Sequence, residues 1–303
     1  MTAMRRIVLQ TGVTLNVAEA GNSGAPAVIL LHGFPESHRT WREMIPRLED
    51  LHLIMPDHRG FAGSDLPQDK SAYQTDTLVD DVFALADALR VERFALVGHD
   101  WGGAIAWAAA LRGEPRLTRL AIVNSPHPVI FQKTLIEDAD QRAASQYINA
   151  FKTPGFEKMV EKKGFDWFFD TTFARHVDVS TIRPQERQQY IADWSQPGAF
   201  NAMLNWYLAS RIIVPPPGAT VPLPDILLRA FPSIEIPTLV IWGMQDKALL
   251  PIQLEGLDTL VDDLAIVRLP DAGHFAPWEA PDAVAGALGP FLAADTAATA
   301  SPS

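Results

Sequence analysis

The chain of 303 residues contains no cysteine. That absence excludes disulfides, thiolate metal sites, iron–sulfur clusters and a thiol nucleophile, and leaves any chemistry to carboxylates, His, Ser, Thr, Tyr and Lys. Positive charge is also scarce, with 25 Lys and Arg against 36 Asp and Glu and a formal charge of −11. A chain so short of cations has no footprint for a phosphate backbone, so nucleic acid is not an expected partner. No stretch approaches the roughly 18 uncharged apolar residues of a membrane span. The N-terminus leads into a short segment broken by Gln10 and Thr11, without the apolar core of a signal peptide. The expectation is a cytoplasmic protein with no membrane partner. The eight histidines and many aspartates form no spaced ligand set such as H-E-x-x-H, so neither metal nor cofactor is expected.

What the chain does have is a series of short aliphatic runs bounded by Gly, Pro and Asp. They lie at Val13 to Ala18, Ala27 to Leu31, Leu51 to Met55, Phe94 to Val97, Leu120 to Val123, Thr238 to Ile241 and Ala265 to Leu269. Unbroken apolar runs of this length suit strands covered on both faces, as in a parallel sheet. Between several of them lie helical patterns: Leu78, Val82, Leu85, Ala86 and Leu89 share one face, with Asp80, Asp81 and Asp87 assigned to water. Strand–helix alternation implies a doubly wound α/β fold. The alternation stops between about Pro126 and Ser233. There, aromatic-rich helical patterns occupy Ala139 to Phe151, Phe156 to Phe169, Arg183 to Ala192 and Gly198 to Ile212, before the Pro-rich stretch Val214 to Gly218. The expected division is a core of residues 1–125 and 234–293, a helical cap of residues 126–233, and a disordered tail over 294–303. A homodimer is compatible with this reading.

The strongest chemical signal is Val97-Gly98-His99-Asp100-Trp101-Gly102-Gly103, between a predicted strand and the Ala-rich helix Ala104 to Leu111. Glycines around one functional residue at a strand-to-helix junction make a nucleophile elbow, a turn so sharp that neighbouring side chains must vanish. Here the presented residue is Asp100, and the helix N-terminus is expected to favour its ionised form. Serine attacking a saturated carbon would leave an ether that water does not clear, whereas a carboxylate leaves a hydrolysable ester. Asp100 therefore points to displacement at saturated carbon. The competing reading, a helix N-cap, accounts for the aspartate but not for its glycines.

Clearing an ester requires an activated water. His274 follows the last predicted strand and supplies a general base, and Asp246 follows the strand before it and supplies the acid that orients the histidine, with Asp271 as its main competitor. Both project from carboxyl ends of strands, where sites in open α/β sheets assemble. His38, His52, His58, His127 and His176 lack such a setting. The tight turn His32-Gly33-Phe34-Pro35 after the strand Ala27 to Leu31 can aim the Phe34 amide, with that of Trp101, at an oxyanion. His32 is expected to brace this loop. Around the substrate we place His32, Pro35, Trp101 and Trp206.

Together these residues resemble the α/β-hydrolase superfamily, and the aspartate within Gly-His-Asp-Trp-Gly-Gly is similar to its epoxide hydrolase and haloalkane dehalogenase branches. The resemblance spans about Arg5 to Leu292 and includes Asp57 to Asp65 and Asn124 to Pro128. It implies the α/β-hydrolase fold, a mostly parallel sheet flanked by helices with an inserted helical lid. It also implies two lid tyrosines above the nucleophile, which Tyr147 and Tyr207 match among only four tyrosines in the chain. An alkoxide leaves poorly and needs acid assistance, while a halide does not, so the tyrosines favour epoxide opening. The expectation is an epoxide hydrolase acting on a small-molecule epoxide and water. The alternative is a haloalkane or haloacid dehalogenase using the same Asp-His-Asp set, with Trp101 and either Trp167 or Trp206 as halide donors. A haloacid enzyme of this kind would be expected to carry Arg at Trp101. Asn124 stands where some dehalogenases carry the triad acid, which favours Asp246 here. A non-catalytic ligand-binding protein on this scaffold is the third reading.

Overall fold

The computed structural model describes residues 3–298. Its strands are β1 (Ala3–Val8), β2 (Thr14–Gly21), β3 (Ala27–Leu31), β4 (His52–Pro56), β5 (Phe94–His99), β6 (Leu117–Val123), β7 (Thr238–Gly243) and β8 (Leu264–Leu269). They form one eight-stranded sheet in the order β1-β2-β4-β3-β5-β6-β7-β8. The pairings β1–β2 and β2–β4 are antiparallel and the rest are parallel. Successive strand residues point to opposite faces, so one run feeds two cores. In β3, Ile29 and Leu31 pack on one side with Leu78 and Leu85 of α1 (Thr75–Ala88) and Ile105 of α2 (Trp101–Leu111). Val28 and Leu30 pack on the other side, in the cluster that contains Trp41 and Met44.

Between β6 and β7 the chain forms α3 (Pro128–Glu137), α4 (Ala139–Ala144), α5 (Gln146–Phe151), α6 (Phe156–Lys163), α7 (Phe165–Phe173), α8 (Pro184–Trp194) and α9 (Ala199–Ala209). The short α10 (Ala276–Glu279) and α11 (Pro281–Ala298) follow β8, and Val284 and Leu288 of α11 cover the second face of the sheet. The insertion shares the apolar cluster of the sheet's first face, through Phe169, Trp194, Trp206 and Tyr207 among others. It is also tied down by polar contacts. Trp194 Nε1 donates to the Pro35 carbonyl at 2.8 Å, Trp206 Nε1 to the Arg59 carbonyl at 3.0 Å and the Tyr190 hydroxyl to Glu36 at 3.1 Å, while Glu186 pairs bidentately with Arg39. No helix among the described residues is long and apolar enough to cross a membrane.

Four local features differ from the sequence reading. Strand β1 has no aliphatic run to betray it: it is an edge strand, Ile7 is its only buried residue, and Arg5 and Arg6 occupy its middle. Asp81 does not face water but lies buried against Arg59, at 2.5 and 2.6 Å to Nε and Nη2. Two predicted helices are each broken in two, at Ser145 and at Gly164, whose φ of +88° no helix accommodates. The expected tail does not begin at Ala294, because α11 continues to Ala298 through an alanine-rich stretch. Residues 299–303 of that tail lie outside the described residues.

Candidate active site

Strand β5 ends at His99 and α2 begins at Trp101, which leaves one residue in which to turn. Asp100 makes the turn at φ +50°, a region that L-residues avoid. The helix start can cross the sheet edge only because Gly102 has no side chain: a Cβ there would stand 2.3 Å from the Leu31 carbonyl oxygen. Gly33 performs the same service from the opposite side, since its Cβ would fall 2.4 Å from that of Asp100. The β3 loop therefore lies directly against the aspartate, and the Phe34 amide donates to Asp100 Oδ1 at 2.8 Å. The neighbouring Trp101 amide also favours the charge on this carboxylate.

His274 stands on the other oxygen, with Nε2 3.6 Å from Asp100 Oδ2. Its Nδ1 is 2.7 Å from Asp246 Oδ2, so the imidazole is held between two carboxylates. Asp246 is itself fixed by the Ala248 and Leu249 amides on Oδ1, at 2.8 and 2.9 Å, and by the Asn124 amide on Oδ2 at 2.9 Å. Asp271, the competing orienter, is exposed. The electrostatics follow from this layout. Burial opposes ionisation of Asp246, but His274 and the two amides prevail and hold its carboxyl below the ordinary range. Burial likewise opposes a charged His274, yet the charge and hydrogen bond of Asp246, with Asp100 and Glu36 behind, raise it to about 9. For Asp100 burial wins, and its carboxyl sits above the ordinary value despite His274 and the Phe34 and Trp101 amides. The helix N-terminus therefore does not dominate, contrary to expectation.

Tyr147 of α5 and Tyr207 of α9 reach the same place from the insertion. Their ring centroids are 6.4 Å apart, and Tyr207 packs edge-on against Trp101 at 5.2 Å and Phe34 at 5.0 Å. Burial first, and then the Asp100 charge among others, push both phenols far above their usual pKa, so both remain protonated. The Trp101 side chain, packed beside it, acts in the opposite sense on the Tyr207 phenol but does not prevail. Two cavities meet at these groups. One, of about 430 Å3, is lined mainly by apolar residues such as Ile105, Phe131, Ile148 and Leu249. The other, of about 370 Å3, is lined by Phe34, Phe151, Trp167, His176, Lys247 and His274 among others. Asp100, Tyr147 and Tyr207 border both.

Three expected pocket residues line neither cavity. His32 is wholly buried beneath the loop, with Nδ1 2.9 Å from the Gly33 carbonyl and Nε2 accepting the His58 amide at 3.0 Å, so it braces but does not face substrate. The Pro35 carbonyl is occupied by Trp194, and Trp206 is spent on the Arg59 carbonyl behind Trp101. Other groups went unnoticed in the sequence. His99 Nε2 donates to the His274 carbonyl at 2.8 Å, and its unpartnered Nδ1 lies 3.6 Å from the unpartnered Oε2 of buried Glu36. Burial raises Glu36 to about 7 against the pull of Arg42. His176 lines the second cavity with its ring 5.3 Å from that of His274. Glu36, adjacent to the His-Gly-Phe-Pro turn, offered only its position as a signal.

Comparisons with known proteins agree with this architecture. A family model described as alpha/beta hydrolase fold matches residues 26–281. The AB hydrolase superfamily protein YfhM of Bacillus subtilis is 32% identical over 280 residues, covering 91% of this chain and 93% of its own. Epoxide hydrolase A of Mycobacterium tuberculosis is 31% identical, with coverages of 95% and 96%. Among solved structures, a metagenomic epoxide hydrolase from hot environments superposes with a TM-score of 0.89 at 46% identity, covering 96% of this chain and 99% of that one. The Bacillus megaterium epoxide hydrolase, solved with an inhibitor, gives 0.85 at 27% identity, with coverages of 95% and 99%. On these matches, which extend over nearly its whole length, the chain belongs to the α/β-hydrolase family and, within it, to the epoxide hydrolase branch.

Proposed function

We propose that the chain hydrolyses epoxides to vicinal diols through an ester on Asp100, with residues 126–233 acting as a cap over the site. The observation that carries this reading is the division of labour on one carboxylate: an amide holds Oδ1, an imidazole stands by Oδ2, and two protonated tyrosines lie above. Oδ2 attacks an epoxide carbon, the carbon–oxygen bond breaks, and Tyr147 and Tyr207 hydrogen-bond and protonate the departing oxygen. His274, oriented by Asp246, then takes a proton from water as that water attacks the Asp100 carbonyl carbon. Negative charge develops on Oδ1, where the Phe34 and Trp101 amides receive it. Collapse releases the diol with its Oδ2 oxygen, the imidazolium proton passes to the leaving alkoxide, and the second proton of the water, left on the Asp100 carboxyl, returns to the tyrosinate so that both groups regain their starting forms. Epoxide and water are the only reactants, so no cofactor enters.

The two protonated tyrosines, which an epoxide oxygen needs and a departing halide does not, favour this reading over dehalogenation. A single turnover in 18O-water is expected to give a diol whose new oxygen is unlabelled, because it comes from Asp100. In His274→Gln the ester is expected to persist as an adduct of the epoxide's mass on the Asp100 peptide. Label in the first diol, absence of the adduct, or halide release from haloalkanes without diol formation from epoxides would overturn the proposal.

A further inference from the structure

Gln141 lies on α4 of the insertion and is wholly buried, although it lines neither cavity. An amide taken out of water is costly unless its donors and acceptors are matched. Here all four positions are filled: Nε2 donates to Ser145 Oγ and to the Ala248 carbonyl, both at 2.8 Å, and Oε1 accepts from the Leu250 amide at 2.8 Å and from Gln253 Nε2 at 3.0 Å. Two of these partners lead to the site. The Ala248 carbonyl belongs to the same peptide unit as the Leu249 N–H, and a trans peptide points the two in opposite directions. The carbonyl accepts from Gln141 on one side while the N–H donates to Asp246 Oδ1 at 2.9 Å on the other, so one rigid plane connects the Gln141 amide with the carboxylate that holds His274. Ser145, also wholly buried, is the single residue between α4 and α5, and Tyr147 follows two residues later. Its Oγ accepts from Gln141 Nε2, its amide donates to the Gln141 carbonyl at 3.0 Å, and its own carbonyl accepts the Ile148 amide at 3.0 Å, which fixes the direction in which α5 sets out. Gln141 and Ala248 are 107 residues apart in the chain, so the amide ties the tyrosine's segment of the insertion to the acid's segment of the core.

We propose that Gln141 is a positioning residue that sets Tyr147 of the insertion and the Asp246–His274 pair of the core in register, so that both steps of the reaction depend on one buried amide. This inference rests on the epoxide hydrolase reading, in which Tyr147 assists alkylation and Asp246 serves ester hydrolysis. Its test follows the two steps separately in single turnovers, using the fastest member of a panel of aryl and alkyl epoxides. Gln141→Met keeps the length of the side chain and loses its hydrogen bonds; both steps are expected to slow, each by up to roughly 100-fold, the scale of a small misplacement of reacting groups. Ser145→Ala removes only the link towards Tyr147. It is expected to slow alkylation by about 2- to 10-fold, the yield of one hydrogen bond, while ester hydrolysis keeps its wild-type rate. In a Tyr147→Phe background the effect of Ser145→Ala on alkylation is expected to vanish, because the group that it aims is gone. Should Gln141→Met not fold, the comparison of Ser145→Ala in the two backgrounds decides the matter by itself. Unchanged rates of both steps in Gln141→Met, a Ser145→Ala loss spread equally over the two steps, or one that persists in Tyr147→Phe overturns the inference alone. A wild type that forms an ester from no member of the panel overturns the epoxide hydrolase reading with it.

Discussion

At the scale of single residues, the proposed route has a step that needs ionised Asp100 and a later one that needs neutral His274. Resting His274, raised to about 9, is charged at neutral pH and supports the Asp100 anion. Esterification removes the Asp100 charge, which is one of the influences raising His274, so the imidazole becomes easier to deprotonate when it must act as base. Ester hydrolysis, followed by rapid-mixing fluorescence in single turnovers, is therefore expected to speed up with rising pH through a pKa below that of the resting enzyme. Alkylation is expected to fail in acid as the upward-shifted Asp100 carboxyl takes a proton. Replacing Tyr207 by Phe is expected to lower kcat/KM for epoxides by roughly 100-fold, the lower end of the range for a lost general acid, since Tyr147 remains. Asp100, His274 and Asp246 were legible because each sits in a short local motif at a strand end. Glu36, His99 and His176 were not, because what matters about them is convergence from three distant segments on one imidazole. Trp206 was misjudged for the same reason: an aromatic near a key tyrosine in sequence turns its N–H to the Arg59 carbonyl instead.

At the scale of elements, β2 to β8 announce themselves as aliphatic runs, and β1, whose only buried residue is Ile7, stayed hidden. Helical periodicity located α1 but assigned Asp81 to water, since a pattern of faces carries no information about Arg59 arriving from the loop after β4. That pair makes a sharp test. With side-chain exposures of 4% and 6%, removal of the carboxylate in Asp81→Ala strands a buried guanidinium, which retains only the Ala72 carbonyl at 3.0 Å. Urea denaturation is expected to report a loss of about 3 kcal/mol. At the elbow, Gly102→Ala would place a methyl against the backbone oxygen of Leu31, where no side chain can swing aside. A cost of roughly 1–3 kcal/mol is expected from such overpacking, together with loss of turnover as Asp100 is displaced from the Phe34 amide.

At the scale of the whole molecule, the insertion is not an independent body. Its aromatic residues belong to the same apolar cluster as α1, α2 and one face of the sheet, so tryptophan fluorescence and far-UV circular dichroism are expected to report coincident unfolding transitions. A separate early transition confined to fluorescence would contradict this. The polar ties between insertion and core have a further meaning for the catalytic cycle. Trp194 and Tyr190 grip the Pro35 carbonyl and the Glu36 carboxylate, the two residues that follow Phe34 in the chain. The insertion, our proposed cap, thus hangs from the strip of backbone that carries the proposed oxyanion donor. To lift far enough to admit a bulky guest, it must first let go of that strip, and the Phe34 amide loses its bracing as it does so. On the proposed mechanism, admission and chemistry would thereby take turns, as in a lock whose bolt can be thrown only when the door is shut.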